Sequence, residues 1–267
     1  MNSIAEAIRN GLTNGKPAVL VTVIQSEEFA VGAKLLIIDG GEIIGDLGNR
    51  PLNDAIAAEG ANFLRVRDEA KASTLSEFAP ELQTFSDTRV LFERVEAEPR
   101  LVIAGAGHVG AALARLAALV AYQVTLIDDR AEFVARELFA GDSEQGIRLI
   151  AAEDWAKAMQ AAVGNGRGVS VAIVTRGHKQ DEECLRAAAA SRPDYIGMIG
   201  SKRRTNIVLE KLAGEGFDQD ALNKVRAPIG LDIGAVTPEE VALAILAEIV
   251  AMRRGGSGSP LSAWRRI

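Results

Sequence analysis

The sequence predicts an α/β protein, and three observations predict it. After Pro99, short β-branched runs alternate with helical stretches. The first of those runs ends in Gly105-Ala106-Gly107-His108-Val109-Gly110, and an alanine-rich helix opens there. Before Pro99 strands dominate and helices are few. Alternation of strand and helix at this spacing requires a parallel sheet covered by helices, with right-handed crossovers. The expected architecture is a smaller α+β domain over residues 1–98, followed by a Rossmann-type parallel-sheet domain over residues 99–267.

The elements of the first part follow from local chemistry. Ile4 to Leu12 has amphipathic helical spacing and ends near Asn14-Gly15. Ala18 to Ile24 and Ala33 to Ile38 are β-branched runs. Asp39-Gly40-Gly41 supplies turn chemistry before Glu42-Ile43-Ile44-Gly45, which predicts a hairpin. Leu52 to Glu59 reads as a helix stopped by Gly60, with later strands at Asn62 to Arg67 and Thr88 to Val95.

In the second part, strands are expected at Arg100 to Ala104, Gln123 to Asp128, Arg148 to Ala151, Ser170 to Thr175 and Asp194 to Ile199. Helices are expected from Val109 to Val120, after Thr175 through Ala190, and from Ser201 to Leu212. The last helix starts at a capping box: Thr237 at the N-cap, Pro238 at the first helical position and Glu240 reaching back. Val241, Ala244, Ile245, Glu248, Ile249 and Met252 then recur on one face, with Glu248 the only polar member.

Composition narrows the function. Charged residues make up 25% and apolar residues 48%, an ordinary globular balance. No apolar run is long enough to span a bilayer, so no membrane partner is expected. No basic flank leads into an apolar stretch at the N-terminus, and Cys184 is the single cysteine. Both fit a reducing, cytoplasmic setting. A net charge of −6 disfavours nucleic acid. The charge is unevenly spread: residues 1–99 carry 9 basic and 16 acidic side chains, a net of −7, and residues 100–267 carry 21 and 20, a net of +1. An anionic small molecule suits the second part better.

The candidate site residues lie at strand ends. Gly105 permits the tight turn, Gly107 lets a phosphate approach the backbone, and Gly110 lets helix and strand pack closely. The helix N-terminus adds unpaired N–H groups and partial positive charge. Asp128, 23 positions after Gly105, closes the second strand where a carboxylate accepts from a ribose diol, and Asp129 follows it. His108 either donates to a phosphate or pterin oxygen or caps its own helix. His178 and Asp181, just beyond the fourth strand, are either a base with its orienting partner or a helix cap beside an incidental histidine. Gly200-Ser201-Lys202-Arg203-Arg204 brings small residues and three cations to one helix start, either an anion receptor or a solvated basic face. Asp232, in the glycine-punctuated loop Ala227 to Gly234, either binds ligand or holds the loop. Two histidines and one cysteine leave little for a metal, and none is expected. Cys184 reads as a small core residue.

Together, several segments resemble the xanthine dehydrogenase accessory-protein family (XdhC/CoxI-like). They are the glycine turn, Ile127-Asp-Asp-Arg130, Tyr195-Ile-Gly-Met-Ile-Gly-Ser-Lys-Arg-Arg204, Ala227-Pro-Ile-Gly-Leu-Asp-Ile-Gly-Ala235 with Thr237-Pro-Glu-Glu240, and the tail Arg254 to Pro260. The resemblance implies a cytoplasmic maturation factor that binds molybdenum cofactor (molybdopterin) and helps deliver its sulfurated form to a xanthine dehydrogenase-type enzyme. It also implies a homodimer and a cysteine desulfurase partner. The first domain diverges. Gly32-Ala33-Lys34 and Asp39-Gly40 remain, but Pro51 stands where the family has a cysteine, and a thiolate is the soft ligand a molybdenum centre would use.

The leading expectation is an accessory factor for a molybdenum hydroxylase, a cofactor-binding chaperone rather than a catalyst, holding an anionic pterin or nucleotide. The alternatives are an NAD(P)-dependent oxidoreductase, favoured by the glycine turn with Asp128, and a non-catalytic interaction module with a vestigial nucleotide site.

Overall fold

A computed structural model describes residues 3–13, 16–66, 68–139 and 146–262. The side chains of Lys202 and Arg204 are outside the described set, as are the expected helix stop at Asn14-Gly15 and Arg67. The chain divides into two compact units, Met1–Ala97 and Glu98–Ile267.

The first unit holds α1 (Ile4–Thr13), β1 (Ala18–Gln25), β2 (Lys34–Ile38), β3 (Ile43–Gly45), α2 (Arg50–Arg65), β4 (Ala70–Thr74), α3 (Leu75–Phe78) and β5 (Arg89–Val95). Its strands form an antiparallel sheet in the order β3-β2-β1-β5-β4. The expected hairpin is present, with Leu36 opposite Ile44. Leu52, Ile56 and Phe63 of α2 pack with Val19, Val21, Leu35 and Phe92 in a buried core.

Gly60 does not stop α2, and the strand expected from Asn62 is helix as far as Arg65. A methyl on Gly60 would stand 3.0 Å from Ile37 Cδ1, so glycine here lets the helix lie close on β2. The packing offsets the cost of glycine in a helix, about 1 kcal/mol. The helix end is held from outside: Arg94 Nη2 on β5 donates to the carbonyls of Phe63, Leu64 and Val66, the last at 2.6 Å. The edge strand β4 was not expected. Its first three residues are exposed, so it shows no alternation to read.

The second unit contains β6 (Arg100–Ala104), α4 (His108–Leu119), β7 (Gln123–Asp128), β8 (Ile147–Ala151), α5 (Trp155–Val163), β9 (Val169–Ile173), α6 (His178–Ser191), β10 (Tyr195–Met198), α7 (Lys202–Gly214), α8 (Gln219–Asn223) and α9 (Pro238–Arg254). All its strands are parallel, in the order β10-β9-β6-β7-β8. The order reverses between β6 and β9. Chains leave those two strands in opposite directions, and a crevice opens between them at the carboxyl ends.

Two buried layers flank this sheet. One joins α4 and α9 through Leu113, Ala117, Ile245 and Ile249. The other joins α5, α6 and α7 through Met159, Cys184, Leu185 and Leu212. Fully burying such a leucine contributes about 1.5–3 kcal/mol. The capping box at Thr237 and Glu240 is formed in both directions. Glu248, the lone acid on the inward face of α9, accepts from Tyr195 Oη at 2.6 Å and from the Gly230 amide at 2.8 Å. Burial first, then the hydrogen bond to Glu248, pushes the Tyr195 phenol above its ordinary value. Met252, expected on that face, is exposed instead, in the last turn of α9.

Candidate functional site

The glycine turn is shaped by close approach. Gly105 has φ +107°, and a Cβ there would stand 2.6 Å from the Val174 carbonyl oxygen. Only glycine lets the chain leaving β6 pass the chain leaving β9. Gly110 is buried, and a Cβ on it would collide with the Gly105 carbonyl oxygen. Gly107 differs: a Cβ on it would meet nothing within 4 Å. It is the N-cap of the 12-residue α4 and makes no side-chain cap. The space above it therefore faces the uncapped start of a helix, where amide N–H groups and the helix dipole favour an anion.

That space belongs to a cavity of about 240 Å³ at the switch point. Gly105, Gly107 and His108 border it from β6, Asp128, Asp129 and Arg130 from β7, and Val174, Thr175 and Arg176 from β9. Phe133, Trp155 and Gln180 complete the wall. His108 is exposed at the cavity. Trp155 is 7% exposed, and its indole N–H has no hydrogen-bond partner among the described residues.

Asp128 is buried and fully engaged. Its Oδ1 accepts from the Arg130 amide at 3.0 Å and from Arg130 Nε at 2.8 Å. Its Oδ2 accepts from the Ala106 amide at 2.7 Å and from Arg130 Nη2 at 2.9 Å. Burial alone would raise this carboxyl. The hydrogen bonds from Arg130 and from the Ala106 and Arg130 amides outweigh burial and hold it below the ordinary carboxylate range. The Arg130 guanidinium lies 3.6 Å from the centroid of the Phe133 ring. Asp128 thus ties the glycine turn to the end of β7, and its oxygens are occupied where a ribose diol was expected to bind.

His178 and Asp181 both lie in the first turn of α6. Asp181 is buried, and its Oδ1 accepts from Thr175 Oγ1 at 2.5 Å. Thr175 lines the cavity, and His178 is exposed at the first position of α6. Gly200, Ser201 and Arg203 follow β10, one strand beyond β9, and none of them is among the described residues lining the cavity. The Ser201 carbonyl accepts from the Thr205 amide within α7, and Arg203 is exposed. Asp232 is exposed in its loop. Among the described residues, the cations that line the cavity are Arg130 and Arg176.

Arg130, Phe133, Trp155, Arg176 and Gln180 were not nominated from sequence. Arg130 had a signal, a guanidinium two residues beyond a strand-ending acid. Trp155 had none. Cys184 is in the core, and burial pushes its thiol well above the ordinary value. Among the described residues, no group of three or more His, Cys, Asp or Glu is placed to hold a metal ion, and no helix is long and apolar enough to cross a membrane.

A parallel sheet with its order reversed at β6 and β9, a glycine turn and an uncapped helix start define a Rossmann-type domain. Residues 101–249 match the XdhC Rossmann domain, and the chain belongs to that family. It is 27% identical over 93% of its length to a probable xanthine dehydrogenase subunit of Bacillus subtilis, covering 64% of that protein. It is 31% identical over 60% of its length to the uncharacterized protein YqeB of Escherichia coli, covering 28% of it. Over 26% of its length it is 35% identical to the Escherichia coli molybdenum cofactor insertion chaperone PaoD, covering 22% of that protein. The chain thus spans less than two thirds of each of these relatives. A crystal structure described as a xanthine dehydrogenase from Bacillus halodurans shares the fold, with a TM-score of 0.64 at 22% identity, covering 98% of this chain and 70% of that one.

Proposed function

We propose that the protein is an accessory factor in the maturation of a xanthine dehydrogenase-type molybdenum hydroxylase, and that its glycine-turn cavity holds molybdenum cofactor or a related anionic pterin or nucleotide. Membership of the XdhC family and the similarity to PaoD support the maturation role. The observation that carries the ligand site is the open space over Gly107 at the uncapped start of α4.

The residues fit the organic part of such a cofactor. The first turn of α4 suits its phosphate, and Arg130 and Phe133 line the wall beside it. When bound, the cofactor supplies metal chemistry to the client enzyme, and this chain's residues bind and shelter it. The filled lone pairs of Asp128 count against the NAD(P)-dependent oxidoreductase reading. A homodimer and a cysteine desulfurase partner extend the proposal, and light scattering and co-purification test them.

The decisive experiment compares client enzyme from cells with and without this chain. Client made without it should be poor in cofactor and weakly active, and restored by the purified protein. Full cofactor content and activity in its absence would refute the maturation role. Mass spectrometry of small molecules released from the purified protein should detect a pterin or nucleotide.

A further inference from the structure

The helix α9 buries one face against α4 and leaves another to solvent. Leu243 is 51% exposed and Val250 is 37% exposed, although both are large and apolar. At 3.6 residues per turn they share a strip with Glu239, Ala247 and Arg254 that spans about 80° of arc. Acids at the start of a helix and bases at its end suit its own dipole. That explains their order along α9, but not why one of each lies in line with two exposed apolar side chains.

The strip reads the same in both directions. Glu239 and Arg254 lie equally far from the midpoint between Leu246 and Ala247, and so do Leu243 and Val250. A second copy of α9 laid antiparallel across it would set Leu243 on Val250 and Glu239 on Arg254, at both ends at once. Such reciprocity is what a two-fold interface requires. A parallel pair would set Glu239 on Glu239 and Arg254 on Arg254, like charge on like. Ala247 stands beside the axis, where a small side chain lets the helices approach to about 8 Å.

The ends of the strip carry further apolar surface. Val236, just before α9, is exposed, as are Leu119 and Val120 at the end of α4. The Arg253 guanidinium lies 5.9 Å from the centroid of the Tyr122 ring, so the end of α4 is beside the end of α9. The antiparallel arrangement carries Val236 of one copy to the end where Leu119 and Val120 of the other stand.

We propose that this strip is a self-association surface, on which α9 pairs antiparallel with α9 of a second copy about a two-fold axis between residues 246 and 247. The assignment rests on the homodimer reading and names its surface. Two helices that meet along one strip bury less than the ~1,200 Å² of a standard stable interface, so the dimer exchanges with monomer at micromolar concentration.

Sedimentation velocity of the full chain over a micromolar concentration series tests it, and should show a reversible passage from monomer to dimer. Leu243→Glu should weaken the dimer about tenfold or more. Leu243 is exposed, so the fold should stand, which thermal melting reports. Glu239→Lys should weaken the dimer about threefold by facing Arg254, and adding Arg254→Glu should restore it. Crosslinking reads the register. Ala247→Cys should form a disulfide with its own copy under mild oxidation. Leu243→Cys, about 10 Å along the axis from its own copy, should not, but should link to Val250→Cys when the two variants are mixed. Cys184 is buried and does not compete. A chain that stays monomeric throughout sinks this surface and the homodimer reading together. A dimer that is unmoved by Leu243→Glu and does not crosslink at Ala247→Cys sinks the surface alone. Self-linking of Leu243→Cys would overturn the antiparallel register. The maturation role is tested separately, by the cofactor content of the client.

Discussion

Gly110 lies directly against the Gly105 carbonyl, close enough that a methyl group on Gly110 would collide with it. Gly107, between them, touches nothing on that side. The three glycines of one motif therefore do different work: two are required by packing, and one leaves room for a ligand.

This separates stability from binding. Gly110→Ala should destabilise the fold by about 1–3 kcal/mol or more, since backbone must shift. Gly107→Asp should raise stability by up to about 1 kcal/mol, because aspartate is a favoured N-cap and its charge suits the helix start. The same variant should lose anion binding. Thermal melts and titration on the two variants read both effects. Loss of folding in Gly107→Asp would refute the assignment of that space to a ligand.

Arg130→Ala removes two charge-assisted hydrogen bonds from buried Asp128. The expected cost at pH 7 is about 1.5–3 kcal/mol. The parent carboxyl titrates below the ordinary value of about 3.9, so its contribution is present above about pH 4 and is lost as pH falls through its folded-state value. In the variant only the two amide hydrogen bonds still oppose burial, so that value rises and acid unfolding should begin at higher pH. Circular dichroism across an acid titration measures the shift, and an unchanged midpoint would argue against the pair.

The positions of the cations give a third expectation. Arg176 borders the cavity and Arg203 does not. Arg176→Ala should weaken binding of an anionic ligand several-fold and flatten its salt dependence, while Arg203→Ala should leave both nearly unchanged. Equal effects in titrations at two salt concentrations would move the site towards β10.

Cys184 is fully buried, with its thiol pushed upward by burial and then by Asp181. It should resist a thiol-specific reagent in the folded protein and react stoichiometrically in denaturant. Rapid labelling under native conditions would show that the layer under α6 opens.

Much of the second unit was legible because its signals are local. The strand–glycine turn–helix sequence needs only steric rules, and Thr237-Pro238-Glu239-Glu240 declares its own capping box. Gly60 misled because its packing partner, Ile37, is distant in sequence, and β4 was missed because an edge strand need not alternate. The site was legible at the turn and obscure at its wall. Asp128 stood at the expected strand end, but sequence spacing does not reveal that Arg130 folds back onto it. Trp155 reaches the cavity only through the crossover that carries α5 across the sheet.

Glu248 gathers hydrogen bonds from two places earlier in the chain, Tyr195 on β10 and Gly230 in the loop before α9. The same helix backs α4, on whose first turn the candidate site is built. During synthesis, then, the glycine turn emerges from the ribosome well before its support. Tyr195 and Gly230 therefore gain their shared partner only once translation has passed residue 248.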